Sequence, residues 1–227
     1  MIADKVLSQS ELFIGLPPEA PRVVAAACQA RRFPKGSVLF EKGDPGDSLY
    51  ILLSGKVRIY RESLAGKLKT LAYFHPPQVF GEMSLVEDRP RSATAVAEEA
   101  TEVLVLYRDY YLQLIRRYPL LAHNLARIVA ARLREMNDEV LFLTFEEARS
   151  KVAFALLKLR RHRHGAPREQ GWFVPIVHQE IANLAGTSRE TATRVVHELR
   201  DRGVIESVPG GLLLKDLEAL ETVLYGL

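Results

Sequence analysis

The spacing of hydrophobic residues changes along the chain and separates three kinds of segment. From Phe33 to about Leu106, short β-branched and aromatic runs alternate with Gly and Pro turns every six to ten residues. That punctuation is typical of a compact antiparallel barrel or jelly roll and predicts about eight strands. Within it, "YILLSGKVRIY" predicts one hairpin whose turn is Ser54-Gly55. Upstream, residues 10–32 carry apolar positions at helical intervals broken by prolines, which predicts short helical pieces.

A long helical segment follows Tyr118-Pro119. It holds no Gly or Pro as far as Phe145, and some 26 residues of helix span about 40 Å, which is more than a small core requires. Its apolar residues recur every three or four positions, as in the seam of a two-stranded coiled coil. The seam residues are Leu125, Val129, Leu133, Met136, Val140 and Leu143. This seam predicts a homodimer, and the alternative is a helix that packs only on its own barrel.

The C-terminal segment has the sharpest local pattern. A helix from about His178 to Ala185, a tight turn at Gly186-Thr187 and a second helix that stops at Gly203 predict a helix-turn-helix. "VIESVPGGLLL" then predicts two short strands joined by Pro-Gly-Gly, the wing of a winged variant. Upstream, "EEARSKVAFALLKLRRHRHG" predicts another amphipathic helix, followed by a loop with one short strand.

Together these segments predict an α+β chain with three parts. An antiparallel β jelly roll is expected over residues 1–118, a long dimerisation helix and hinge over 119–145, and a winged helix-turn-helix domain over 146–227.

Composition narrows the function classes without deciding between them. Of the 227 residues, 48% are hydrophobic and 26% charged, and no apolar run approaches the roughly 18 residues of a membrane span. The single cysteine, Cys28, excludes an internal disulfide framework and an all-thiolate metal site, and it favours a cytoplasmic location. A net charge of +3 is compatible with a nucleic-acid partner but does not establish one.

The second helix of the C-terminal motif has one apolar and one polar face. On the polar face, Arg189 and Arg194 can each offer paired donors to guanine O6 and N7, and Glu190 can accept from cytosine N4. Polar groups suited to phosphate oxygens near helix N-termini are those of Gln179, Ser188 and Thr191. A purely structural interpretation stays open, because Thr187 and Glu190 also match a capping box and the arginines match a solvated face.

A second motif, "FGEMSLVEDRPRSATA", places Gly81 and Glu82 about ten positions before Arg91 and Ser92. Arginine is a planar donor fork, serine adds neutral donors, and glycine lets a ligand approach the backbone closely. These residue types predict a site for a small anion with a hydroxylated neighbour. The alternative is a charged surface connection that binds nothing.

The two motifs, in this order and with a long helix between them, resemble the cyclic-AMP receptor protein (CRP/FNR) family of bacterial transcription regulators. The resemblance runs from about Leu12 to the C-terminus. It implies a non-enzymatic homodimer whose jelly roll holds cyclic AMP as an allosteric effector. It also implies a winged helix that enters the major groove of a two-fold DNA site with TGTGA-like half-sites, and RNA polymerase as a further partner.

The resemblance assigns ligand roles residue by residue. Gly81 offers backbone close to the ligand, Glu82 accepts from the ribose 2'-hydroxyl, and Arg91 with Ser92 holds the cyclic phosphate. The complete cyclic-nucleotide site implied in this way is Gly81, Glu82, Met83, Arg91, Ser92, Arg132, Met136 and Asn137. Met136 and Asn137 depart from the two hydroxylated residues that meet adenine in well-known members, and Arg132 is equally compatible with a dimer-stabilising charge.

Other interpretations remain. The regulator could be ligand-independent, with a vestigial effector pocket. A haem sensor would need His75 as an iron ligand, and a metal site would need His162 and His164, which are more typical of a loop and of a basic helix end. An enzyme with a cyclic-nucleotide module would need a catalytic domain, and no segment is left over for one.

Overall fold

A computed structural model describes residues 2–63, 66, 68–145, 147–161 and 164–224. The chain begins with helix α1 (Ile2–Leu7), a 3-10 turn (Glu11–Phe13) and helix α2 (Ala20–Ala26). Leu12, Phe13 and Val24 from these pieces are buried, as their helical spacing predicts. The helical prediction for residues 10–32 is wrong at its end, because Gln29–Phe33 is a strand.

The jelly roll contains eight strands among the described residues, arranged in two antiparallel sheets of order β1-β8-β3-β6 and β2-β7-β4-β5. The strands are β1 (Gln29–Phe33), β2 (Val38–Phe40), β3 (Ser48–Ser54), β4 (Val57–Glu62), β5 (Leu68–Phe74), β6 (Val79–Phe80), β7 (Thr94–Ala97) and β8 (Thr101–Tyr107). The predicted fold class, α+β with an antiparallel jelly roll, is confirmed.

The predicted hairpin around Ser54-Gly55 is wrong. β3 pairs with β6 and β8, whereas β4 pairs with β7 in the other sheet. Gly55 has φ +83°, and a Cβ atom there would lie 2.5 Å from the carbonyl oxygen of Ala100. The glycine therefore turns the chain from one sheet to the other in a space that no side chain could share.

Helices α4 (Arg108–Arg117) and α5 (Leu120–Phe145) follow the roll. The long helix has the predicted 26 residues, but its seam does not behave uniformly. Leu125 is buried in the core of the roll, whereas Val129, Leu133, Met136 and Val140 are 38–60% exposed. The side chain of Leu143 lies outside the described residues. The apolar row therefore starts in the protein's own core and continues onto the surface.

The C-terminal part combines helices with a second sheet, in the order β11-β12-β10-β9. Its elements are α6 (Ala148–Arg161), β9 (Ala166–Arg168), β10 (Gly171–Val174), α7 (His178–Ala185), α8 (Arg189–Asp201), β11 (Ile205–Val208), β12 (Gly211–Leu214) and α9 (Leu217–Leu224). Val152, Leu156 and Leu159 of α6 are buried as predicted. The predicted single strand before the motif is two strands, so the wing belongs to a larger sheet.

By internal contacts the chain divides into two compact units. One holds the residues up to Arg61 together with Leu71–Arg134, and the other holds Glu62–Thr70 and the residues from Glu135 onward. The boundaries drawn at residues 118 and 145 stay predictions. In the part of the chain that the structure describes, no helix has both the length and the apolar character that a membrane span requires.

The second unit contains a cluster of opposite charges around Glu139. This carboxylate lies 3.1 Å from the Lys69 ammonium group and also accepts from Lys158. Burial alone would raise the pKa of Glu139, but the two ammonium groups outweigh it and hold that pKa below its usual value. The cluster fixes the last turns of α5 against α6 with a satisfied buried charge.

Candidate functional site

The predicted ligand motif folds as a turn and a short helix rather than as a loop alone. Gly81 has φ +78° and precedes helix α3 (Glu82–Glu87), whose last residue is followed by Asp88 at φ 56°. A Cβ atom at position 81 would lie 2.8 Å from Nη1 of Arg91 and 3.2 Å from Cδ2 of Tyr50. Only glycine fits between these two groups with this backbone conformation.

Arg91 lies at the centre of the candidate site and is 4% exposed. Its Nη1 donates to the carbonyl oxygens of Ser48 and Gly81, at 2.8 Å each, and its Nη2 donates to Ser48 Oγ at 2.8 Å. The guanidinium lies over the rings of Phe40 and Tyr50, 4.4 and 5.3 Å from their centroids. Within the described residues, its buried Nε has no hydrogen-bond partner.

Burial lowers the pKa of the Arg91 guanidinium, although Tyr50, Asp47 and Asp44 oppose the shift. An arginine stays charged at neutral pH even so. The site therefore contains a buried cation with one unused donor, which suits a bound anion better than a neutral ligand.

Glu82, the first residue of α3, is also buried, at 7% exposed. Its Oε1 accepts from Nη1 of Arg132 at 2.8 Å, and the same guanidinium donates to the carbonyl of Val79 and lies 4.7 Å from the Phe74 ring centroid. α5 thus brings Arg132 to the motif from 50 positions away. The contact uses one oxygen of the carboxylate, and a carboxylate can accept through both.

The remaining predicted ligand residues are exposed. Ser92 donates through Oγ to Sδ of Met83 at 3.7 Å, so these two side chains lie together at the rim of the Arg91 site. Met136 is 60% exposed on α5, one helical turn after Arg132, and Asn137 beside it is exposed as well. Their role toward a nucleotide base stays a prediction.

The charged residues between the two halves of the motif, Glu87, Asp88 and Arg89, are exposed. Glu87 ends α3, and Asp88 pairs with Arg108. The sequence gives no local signal for Arg108, because its partner lies 20 positions away.

The second candidate site is the exposed face of α8. Ala192, Val195, Val196 and Leu199 are buried, and Arg189, Glu190 and Arg194 are exposed, as the helical pattern predicts. Ser188 is the N-cap, since its Oγ accepts from the backbone N of Thr191 at 3.1 Å and donates to Thr191 Oγ1 at 2.9 Å. Thr187 is not the cap, so Glu190 is not the third residue of a capping box. Its carboxylate is exposed.

A cleft of about 520 Å³ lies beside this face, between the start of α7, Arg189 and the wing strands. Gln179 is exposed at its edge. Sequence reasoning gave no role to His178, whose Nδ1 lies 3.0 Å from Thr193 Oγ1 and whose ring meets His197 edge-on at 6.2 Å. Burial, then the charges of His197 and Arg189, lower the pKa of His178. The cleft is lined by the Arg189 guanidinium and by the N-terminal residues of α7, and both favour anions.

Metal chemistry finds little support in the chain. No group of three or more His, Cys, Asp or Glu among the described residues is placed to hold an ion, and His162 lies outside those residues. Burial raises the pKa of Cys28 to about 12, so its thiol stays protonated and is a poor metal ligand.

Comparisons with known proteins match the two segments of the chain that contain the candidate sites. Residues 30–118 match the family described as "Cyclic nucleotide-binding domain" and residues 150–223 the "Crp-like helix-turn-helix domain". The chain is 48% identical, over 96% of its length and 98% of the other protein, to the "Cyclic AMP receptor protein" of Thermus thermophilus. It is 33% identical to the "CRP-like cAMP-activated global transcriptional regulator" of Mycobacterium tuberculosis, over 96% and 97% of the two chains.

Two solved structures extend these matches. The Thermus thermophilus catabolite activator protein has a TM-score of 0.57 over 95% of this chain and 99% of that one, at 48% identity. The Xanthomonas campestris regulator CLP, described as responsive to c-di-GMP, has a TM-score of 0.77 over 87% and 99%, at 24% identity, and shows the likeness of fold.

Proposed function

The chain belongs to the CRP/FNR family of bacterial transcription regulators, and from this premise we propose that cyclic AMP, bound around Arg91, controls its binding to DNA. It is a regulator with a cyclic-nucleotide-binding and a helix-turn-helix domain, not an enzyme. The observation that carries the ligand proposal is the buried Arg91 guanidinium with its unused Nε donor. The names of the relatives, which specify cyclic AMP, favour this effector.

In the proposed complex, Arg91 and Ser92 hold the cyclic phosphate and Glu82 accepts from the ribose 2'-hydroxyl. Glycine at position 81 lets the ligand approach the backbone. Because Arg91 and Glu82 are buried, hydrogen bonds to the ligand form where water competes little, which strengthens them. Met83 packs at the rim, and Arg132 holds the Glu82 carboxylate in place through its hydrogen bond to Oε1.

The proposed contacts with the nucleotide base come from residues of α5. The Asn137 amide can donate to and accept from an adenine edge, whereas the Met136 thioether offers packing and only weak acceptance. Both side chains are exposed on α5 of the single chain. Adenine is therefore expected to be held by fewer direct hydrogen bonds than a pair of hydroxylated residues would make.

On DNA, we propose that Arg189 and Arg194 read guanines and that Glu190 reads a cytosine in TGTGA-like half-sites. All three are exposed on α8, the helix that would enter the major groove. Gln179, Ser188 and Thr191 would contact phosphates beside the helix N-termini. As a transcription regulator the protein would also meet RNA polymerase, in the cytoplasm.

Two copies of the chain are proposed to pair through α5. Val129, Leu133, Met136 and Val140 form an exposed apolar row at coiled-coil spacing, which a second copy of the same helix would cover. A dimer would present two α8 helices to half-sites about 34 Å apart.

Replacing Leu133 with glutamate is expected to turn the dimer into a monomer, because a charge at a seam position must be desolvated in the interface. In sedimentation velocity at micromolar concentration, the variant should behave as a species of 25.5 kDa and the parent as twice that mass. Ala131→Glu introduces the same charge at an exposed position off the seam and should remain dimeric. A dimeric L133E protein would exclude this interface.

Isothermal titration with cyclic AMP tests the ligand proposal directly. We expect one site per chain with affinity in the micromolar range, roughly −8 kcal/mol. Cyclic GMP and c-di-GMP serve as competitors. If either binds more tightly than cyclic AMP, that nucleotide is the effector instead. Absence of heat up to millimolar nucleotide would favour a ligand-independent regulator. One observation supports that alternative, because protein groups already accept hydrogen bonds from both terminal nitrogens of Arg91.

A further inference from the structure

Arg108, the first residue of α4, joins three segments around the nucleotide motif. Its Nη2 donates to the carbonyl oxygens of Gly46 at 2.9 Å and Ser84 at 2.8 Å, and its Nη1 pairs with the Asp88 carboxylate. Gly46 lies in the loop before β3, Ser84 in α3, and Asp88 caps the end of α3. One guanidinium therefore holds α3 from the side and from its C-terminal end.

The clamp around α3 is tight. The backbone N of Arg108 donates to the carbonyl of Asp47 at 2.7 Å, which fixes the base of the side chain against the same loop. At Gly46, a Cβ atom would lie only 2.0 Å from Cβ of Ser84, so the loop backbone rests directly on α3. The buried face of α3, at Ser84, is thus held by both the Gly46 loop and the Arg108 guanidinium.

α3 depends on such support because it cannot be stable by itself. It has six residues, too few for a helix to form alone in water. Both flanking residues, Gly81 and Asp88, are in the left-handed region, which is strained for Asp88. The position of α3 is therefore set by tertiary contacts, and any shift of it moves Gly81 and Glu82 at its start.

We propose that Arg108 is a positioning residue of the cyclic-nucleotide site. By holding Ser84, two residues after Glu82, it keeps the Glu82 carboxylate where the ribose 2'-hydroxyl arrives. This inference rests on the proposed function, because it takes the Glu82 contact with ribose as its premise. Arg108 itself contacts no ligand.

The test compares cyclic AMP with 2'-deoxy cyclic AMP, by isothermal titration of the 227-residue chain and its Arg108→Gln variant. The parent should prefer cyclic AMP by about 10-fold or more, since only that ligand can donate to Glu82. In R108Q, cyclic AMP should lose about 10-fold or more in affinity while the deoxy ligand loses less, so the preference falls toward unity. Arg89→Gln, the same change at an exposed neighbour of the motif, should leave both affinities unaltered.

The preference between the two ligands separates positioning from general stability. A variant that is only less stable binds both ligands more weakly by the same factor and keeps the parental preference. Such a result, or unchanged affinities, would overturn the proposal. If R108Q does not fold, Arg108→Lys retains the charge but lacks the planar fork whose two nitrogens reach the carbonyls and the carboxylate separately, and it should show the same loss of preference. Failure of the parent to bind cyclic AMP would instead refute the proposed function.

Discussion

Replacing Arg91 with glutamine is expected to weaken cyclic AMP binding by at least about 10-fold, because the charge-assisted hydrogen bond from its free Nε to the phosphate, at about 1.5–3 kcal/mol, is lost together with the buried positive charge. Glutamine retains polar atoms that can partly satisfy Ser48 and the Gly81 carbonyl, so the change mainly removes the buried charge. The measurement is isothermal titration of parent and variant, with the thermal unfolding midpoint recorded for each.

Arg89→Gln is the matched control for this prediction. It makes the same change two positions earlier, at an exposed residue, and should bind cyclic AMP like the parent. A folded R91Q protein with parental affinity would mean that the phosphate lies elsewhere. That result would leave Arg91 with a purely structural role between the Ser48 and Gly81 segments.

Replacing both Arg189 and Arg194 with alanine is expected to abolish the preference for TGTGA-like half-sites. Each bidentate contact with guanine contributes about 1–3 kcal/mol of discrimination, so the double variant should lose roughly 100-fold or more in specific affinity. Binding to scrambled DNA should fall far less, because that binding depends on phosphate contacts. Fluorescence anisotropy with the TGTGA-like and the scrambled duplex, at one fixed salt concentration, measures the ratio of the two affinities.

Arg200→Ala provides the control on the same helix. Arg200 lies in the last turn of α8 and bonds to Asp201, away from the start of the helix. Its loss should leave the ratio of specific to scrambled affinity intact. An R189A/R194A protein that still prefers the TGTGA-like duplex would place base recognition on other residues.

Features with local signals could be predicted from the sequence. The helix-turn-helix is an example, because its boundaries depend on residues next to them: Gly186 ends α7 at φ +64°, and Gly203 follows α8 at φ +73°. The 26-residue length of α5 was likewise set by the absence of Gly and Pro after Pro119.

Features that depend on distant partners could not be predicted in the same way. β1 is almost entirely exposed, so it lacks the alternation of a half-buried strand and owes its conformation to pairing with β8, some 70 positions away. Ser54-Gly55 looked like a hairpin turn because both flanking runs are strands. The two strands nevertheless belong to different sheets, and Gly55 lies against the carbonyl of Ala100, 45 positions away.

In the candidate ligand site, too, residues close together in the sequence could be predicted and those with distant partners could not. The residue types of the motif predicted an anion site around Gly81, Glu82 and Arg91, and the structure brings these three together. Arg132 could be matched only through the resemblance, since 50 positions separate it from Glu82. Arg108 could not be predicted at all. It donates to the backbone carbonyls of Gly46 and Ser84, and every residue type has such a carbonyl, so the sequence carries no sign of these bonds.

The central claim is that nucleotide binding at Arg91 controls binding at α8. The most direct test is fluorescence anisotropy of a duplex with two TGTGA-like half-sites, titrated with the 227-residue chain in the presence and absence of saturating cyclic AMP. A coupling of about 1.4 kcal/mol or more predicts at least about 10-fold tighter binding with the nucleotide. The R91Q variant should show no such gain. Equal affinity for DNA with and without cyclic AMP in the parent protein would contradict the claim.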